Sequence, residues 1–114
     1  MISFACKEIE IKDLIKCSFD LSKTDYVIFE FLIRSEGDFS VRQLAEKLDF
    51  ERSSVQKSIK DLTKRNLVIR RQLNLDQGGY KFYYSINNKD DIKKRIENII
   101  DGWHKKVKDA ISSW

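Results

Sequence analysis

Residues 39 to 66 read FSVRQLAEKLDFERSSVQKSIKDLTKRN, and two short amphipathic helices with a three-residue connector are written in them. Ser40 followed three residues later by Gln43 forms a capping box that opens VRQLAEKL, whose Leu44, Ala45 and Leu48 supply an inward face. After the connector Asp49, Phe50, Glu51, a helix over 52–65 places Val55, Ile59 and Leu62 four and three apart, the spacing of one buried stripe. Two helices joined this tightly, the first with a small alanine at mid-length, form a helix-turn-helix pattern.

Working outward, Ser22 with Asp25 makes a second capping box, and Tyr26, Val27, Phe29, Phe31, Leu32 and Ile33 follow it around much of a helix that Gly37 ends. A helix apolar on so many sides belongs at the centre of a core. Ile9, Leu14 and Ile15 predict a first helix over 5–17, and Phe39 a very short strand. Beyond the helix pair, LVIRRQLNL and YKFYYSI are β-rich runs separated by DQGG, whose two glycines suit a tight hairpin. Folding that hairpin at Gly78 and Gly79 aligns Ile69, Leu73 and Leu75 with Phe82, Tyr84 and Ile86. Arg70, Gln72, Asn74, Lys81 and Tyr83 then face out, as does Val68 unless the strand begins after it.

From about Asp90 the chain becomes a long amphipathic helix capped by Asn88 or Asp90. Its apolar residues recur every eleven positions: Ile92, Trp103, Trp114; Ile96, Val107; Ile99, Ala110; Ile100, Ile111. Eleven residues over three turns keeps the stripe almost straight along the helix axis. Some 24 residues make about 36 Å of helix, longer than a domain of this size covers with its own core. A second copy of the chain is the expected cover, and these nine residues are the expected dimer interface.

At 114 residues the chain is sized for a single domain over 1–114. Its 41% hydrophobic and 35% charged residues describe a charged globule. No apolar run approaches a bilayer span and no signal peptide is visible, which predicts a cytoplasmic, nucleoid-associated protein without a membrane partner. Residues 1–50 carry seven Lys/Arg against ten Asp/Glu, residues 51–75 seven against two, and residues 76–114 eight against six. The positive excess thus gathers on the second helix of the pair and just after it, the footprint of a nucleic-acid binder. Cys6 and Cys17, on one helix face about 16 Å apart, cannot bridge within it and read as small semi-buried hydrophobes. His104 sits among lysines, and no P-loop, GxGxxG, HExxH or Ser/His/Asp set is present, so neither an enzyme, a cofactor nor a metal is expected.

LSKTDYVIFEFLI, FSVRQLAEKLDFERSSVQKSIKDLTKRNLVIRR and the hairpin ending in FYYSI, about residues 21–86, together resemble the winged helix-turn-helix regulators of the MarR and TrmB-like group. The resemblance implies an α+β, mainly helical fold. A two- to three-stranded hairpin wing follows a core over 21–87, flanked by long dimerisation helices over 1–20 and 88–114. It also implies a homodimer bound to double-stranded DNA as a sequence-specific transcriptional regulator, with helix 52–65 as recognition helix in the major groove. Ser53, Ser54, Gln56 and Lys57 are then candidates for base edges, and Arg52, Lys60 and Lys64 for phosphates. Ser40 and Arg42 are placed to touch the backbone. In such regulators the wing tip usually carries arginine, whereas here it is Asp76, Gln77, Gly78, Gly79, which leaves Gln77, Lys81 and Arg70 as the wing's contacts. Any small-molecule effector is unmarked by polar residues. The rival readings are a winged helix that docks proteins of the transcription machinery and a nonspecific DNA binder; three lysines on the exposed helix face argue against the first.

Overall fold

The computed structural model describes residues 1–114. Strands β1 (Ile2–Phe4) and β2 (Lys7–Ile9) precede helices α1 (Ile11–Phe19), α2 (Lys23–Ser35), α3 (Val41–Leu48) and α4 (Arg52–Lys64). Strands β3 (Val68–Asn74) and β4 (Tyr80–Ile86) follow, and α5 (Lys89–Ser112) ends the chain. This is the winged helix-turn-helix arrangement. Both capping boxes are present, with Ser22 Oγ accepting from the Asp25 N–H at 3.0 Å and Ser40 Oγ from the Gln43 N–H at 3.2 Å. Glu51, at the start of α4, makes no such side-chain bond.

One hydrophobic cluster holds the fold. Ile28, Phe29 and Leu32 of α2 meet Leu44 of α3 and Val55, Ile59 and Leu62 of α4, each at most 2% exposed. Leu67, Val68, Tyr84 and Ile92 complete it from the wing and α5. Phe39 joins the wing as a one-residue third strand: its N–H donates to the Tyr84 carbonyl at 2.9 Å and its carbonyl accepts from the Tyr84 N–H at 2.8 Å. Asn88 caps α5 by accepting from the Asp90 and Asp91 N–H groups.

Three expectations are corrected. A helix over 5–17 is replaced by a β1–β2 hairpin that turns at Ala5, in the left-handed region at φ 35°, followed by α1. Ile9 and Ile11 alternate with Glu8, Glu10 and Lys12, a period of two that competes with the helical spacing of Ile9, Leu14 and Ile15. Cys6 therefore lies in the hairpin turn and Cys17 on α1, both exposed, and the shared helix face does not exist. Gly37, in turn, follows the end of α2, where Glu36 itself takes the left-handed conformation at φ 49°.

The wing register differs as well. Leu75 pairs with Gly79, whose carbonyl accepts the Leu75 N–H at 3.0 Å, so the loop has three residues, Asp76 to Gly78, with Gly78 and Gly79 both at positive φ. Moving the hairpin's midpoint this way pairs Val68 with Ile86 and Arg70 with Tyr84, and every side chain of β3 changes face relative to β4, whose Phe82, Tyr84 and Ile86 stay on the inner side as expected. Val68 is buried, while Ile69 and Leu73 are 43% and 53% exposed.

At the carboxyl end of α4, Arg65 Nε donates to the Phe19 carbonyl at 2.7 Å, and its guanidinium reaches the Asp61 and Asp20 carbonyls at 3.4 and 3.5 Å. Arg95 of α5 donates in turn to the Arg65 and Asn66 carbonyls at 2.7 and 3.1 Å and lies 4.9 Å from the Phe19 ring centre. Arg65→Met should lower the unfolding free energy by about 2 kcal/mol in urea denaturation, because charge-assisted hydrogen bonds to carbonyls are lost together. A change under about 0.5 kcal/mol, the range of ordinary surface substitutions, would show this junction to be structurally idle.

Candidate nucleic-acid interface

The buried stripe of α4 sets which of its residues face water. With Val55, Ile59 and Leu62 inward, Arg52, Ser53, Ser54, Gln56, Lys57, Lys60 and Lys64 are all exposed. Arg52, Gln56, Lys60 and Lys64 recur every fourth residue and form one line along the wing side of the helix. Two grooves flank that line. Ser40, Arg42, Arg52, Gln56 and Lys81 meet in the first, floored by Phe82 and Tyr84. Gln56, Lys60, Lys64 and Arg70 meet in the second, over Ile59 and Tyr84.

The structure thus brings together eight of the residues singled out from the sequence: Ser40, Arg42, Arg52, Gln56, Lys60, Lys64, Arg70 and Lys81. Ser54 and Lys57 instead line a cleft on the other flank of α4, beside the amino end of α2, with Asp20, Asp25 and Asp61. Those carboxylates weaken the positive potential on Lys57's side. Ser53 lines none of these grooves, and Gln77 stays apart at the wing tip.

Several side chains have prior engagements. Ser40 Oγ caps α3, and Arg42 Nε pairs with Glu46 Oε1 at 3.2 Å across one helical turn, both well exposed. Arg71 pairs with Asp38 at 3.4 Å. Arg70 turns inward from the expected face, its guanidinium 4.4 Å from the Phe82 ring centre, which steers a planar cation toward the groove beside Lys60 and Lys64. Phe82 and Tyr84 keep the inner face expected from the sequence; what the true register adds to their groove is Arg70. Away from this surface, burial pushes the Tyr26 phenol above its ordinary range, helped by the Glu30 carboxylate and opposed by Arg34.

The nine residues expected at a dimer interface divide. Ile92 is 4% exposed within the chain's own core, so it is not free for a partner. Ile96, Ile100 and Val107 are half-buried, whereas Ile99, Trp103, Ala110, Ile111 and Trp114 are exposed.

With this geometry established, known proteins supply a comparison. The model of the MarR family matches residues 19–76. An uncharacterized protein of Methanocaldococcus jannaschii is 34% identical over 90% of this chain and 83% of its own length. A solved structure of a possible transcriptional regulator from Methanosarcina mazei has a TM-score of 0.90 at 33% identity, covering all of this chain and 96% of that one. A mutant of S. aureus MepR bound to an oligodeoxyribonucleotide shares the fold at a TM-score of 0.57 and 13% identity, over 90% of this chain and 72% of its own.

Lys57, Lys60 and Lys64 take part in none of the chain's four ion pairs. Replacing each by alanine should leave the unfolding free energy within about 0.5 kcal/mol of wild type, as for exposed side chains without partners. A loss above about 1.5 kcal/mol at any of them in thermal denaturation would reassign that lysine to the scaffold.

Proposed function

The chain belongs to the MarR family of winged-helix transcriptional regulators, and on that premise we propose that it binds double-stranded DNA sequence-specifically as a homodimer, with α4 in the major groove. The observation that carries this reading is the exposed line Arg52, Gln56, Lys60, Lys64, flanked by grooves that open toward the wing. A major groove about 12 Å wide accepts a helix presenting such a face. Gln56, nearer the amino end of α4, suits a bidentate contact with adenine. Ser53, Ser54 and Lys57 stand beside it at the same end. Arg52, Lys60, Lys64 and Arg70 are suited to phosphates, which fix orientation and supply affinity without reading sequence. Ser40 and Arg42 extend this contact along the backbone, with Arg42 exchanging Glu46 for a phosphate.

Gln77 and Lys81 remain the wing's expected contribution. Asp76 at the tip repels phosphate, so the wing adds less than the helix. In the homodimer two copies of α4 enter successive major grooves about 34 Å apart on a pseudo-palindromic site. The exposed Ile69 and Leu73 on the wing's outer face favour a second reading, in which the wing docks another protein. Selection from a random DNA library separates the two, since enrichment of a two-fold symmetric motif is expected from the first and none from the second.

For wild type, log affinity should fall linearly with log salt, at about −0.9 per phosphate neutralised. Lys60→Ala should make that slope shallower by about 0.9 and weaken all sequences alike. An unchanged slope removes Lys60 from the phosphate contacts. Gln56→Ala should instead relax selection at one base pair by about 1–3 kcal/mol while leaving the salt slope in place; uniform weakening at every position would make Gln56 a backbone contact.

A further inference from the structure

The wing has one closed edge and one open edge. Tyr84 spends both of its backbone groups on Phe39, which closes the β4 side. In an antiparallel pair, residues bonded to the neighbouring strand alternate with residues whose N–H and carbonyl point the other way. Tyr84 bonds away from its cross-strand partner Arg70, whereas Leu75 and Gly79 bond to each other, so Ile69, Arg71 and Leu73 are the residues of β3 that bond to β4. The N–H and carbonyl groups of Arg70, Gln72 and Asn74 therefore point out of the sheet. No segment of the chain pairs with them, and every residue of β3 from Ile69 to Asn74 is exposed.

An edge of this kind accepts a further strand, and proteins that leave it unused shorten it, bulge it or place proline on it. Here β3 keeps seven residues in unbroken register with β4, and the chain contains no proline. The two faces beside the edge differ in chemistry. On the outer face Ile69, Leu73 and Leu75 are 43%, 53% and 40% exposed. On the inner face Arg70 shares a groove with Lys60 and Lys64, and residues 62–75 contain four Lys/Arg and no Asp/Glu. A strand laid on this edge meets apolar side chains with one alternate set of its residues and cations with the other.

We propose that the open edge of β3 receives an extended segment of another protein in which acidic and aliphatic residues alternate. Its carboxylates face Arg70 and Lys64, its aliphatic side chains cover Ile69 and Leu73, and its backbone bonds to the outward groups of Arg70 and Gln72. The inference rests on the docking reading of the wing, adds the partner's chemistry and mode of binding, and does not depend on what α4 binds. A second copy of β3 is a poor occupant, because self-pairing brings Arg70 and Arg71 of both copies together. Duplex DNA offers phosphates to the inner face but nothing that covers the outer one.

The test uses a blocked peptide of alternating glutamate and valine and its lysine counterpart, each titrated without DNA into the isotope-labelled chain and followed by nuclear magnetic resonance. The glutamate peptide should shift the amide signals of residues 69–75 saturably below about 1 mM. It should also slow hydrogen exchange at the Arg70 and Gln72 N–H groups by roughly tenfold or more, and the lysine peptide should do neither. Arg70→Glu should reverse the preference between the two peptides. Gln72→Pro removes an outward N–H and no bond to β4, so it should weaken the glutamate peptide roughly tenfold while the Phe39 and Tyr84 signals stay in place. Should that variant lose the wing's signals, the exchange rates and Arg70→Glu decide. Equal binding of the two peptides overturns the acidic partner. Shifts at Ile69 and Leu73 that survive Gln72→Pro without slowed exchange overturn strand addition and leave the wing a docking surface. No saturable shift in the wing with either peptide up to about 1 mM overturns both.

Discussion

The last turn of a helix leaves carbonyl groups without helical partners, and wherever such an end is covered by other elements those carbonyls must find donors. At the end of α4 two arginines meet this need at one junction. Arg95 satisfies the Arg65 and Asn66 carbonyls, and the Asn87 side-chain amide also donates to Asn66, at 2.8 Å. Arg65 passes the connection on to the carbonyl of Phe19, whose ring lies beneath Arg95. Through this junction α4 is joined to the α1–α2 corner on one side and to the wing exit and α5 on the other. The position of the exposed basic line relative to the long terminal helix follows from it. Neither arginine is free to serve as a surface cation, although both lie in the most basic part of the chain or next to it.

The wing depends on that scaffold. Leu67 and Val68 enter the core directly after α4, and Tyr84 is held from its far side by the backbone of Phe39. Once Val68 is committed inward, alternation puts Arg70 over Phe82 on the α4 side and Ile69 and Leu73 toward solvent. The inward arginine belongs to the basic groove. The outward leucine and isoleucine do not, and they separate the wing's two faces by chemistry as well as by direction.

What could be read from the sequence follows the range of the interactions involved. Ser22 with Asp25 and Ser40 with Gln43 were legible because a capping box is complete within four residues. The α4 face was legible because Val55, Ile59 and Leu62 define it without reference to the rest of the chain. The hairpin register was not, since paired glycines allow either a two- or a three-residue loop, and the choice is made where Val68 meets the distant core. Residues 8–15 carry both periods at once, so the start of the predicted helix is ambiguous, and Ala5 and Cys6 form a turn that local spacing does not reveal. Ile92 fits the eleven-residue stripe as well as Trp103 does. Only the packing of α5 onto the body shows that the stripe changes owner near Ile100, and in the candidate site the place of Arg70 beside Tyr84 and the flank shared by Ser54 and Lys57 with three aspartates were similarly hidden.

The two ends of α4 are held differently. Its far end is fastened by Arg65 and Arg95, while Glu51 at its near end offers no side-chain cap of the kind that Ser22 and Ser40 provide to α2 and α3. The first N–H groups of α4 are therefore left open beside Arg52, Ser53, Ser54 and Gln56, and the positive end of the helix dipole adds to the charge of the side chains there, while Val55 anchors the same turn in the core.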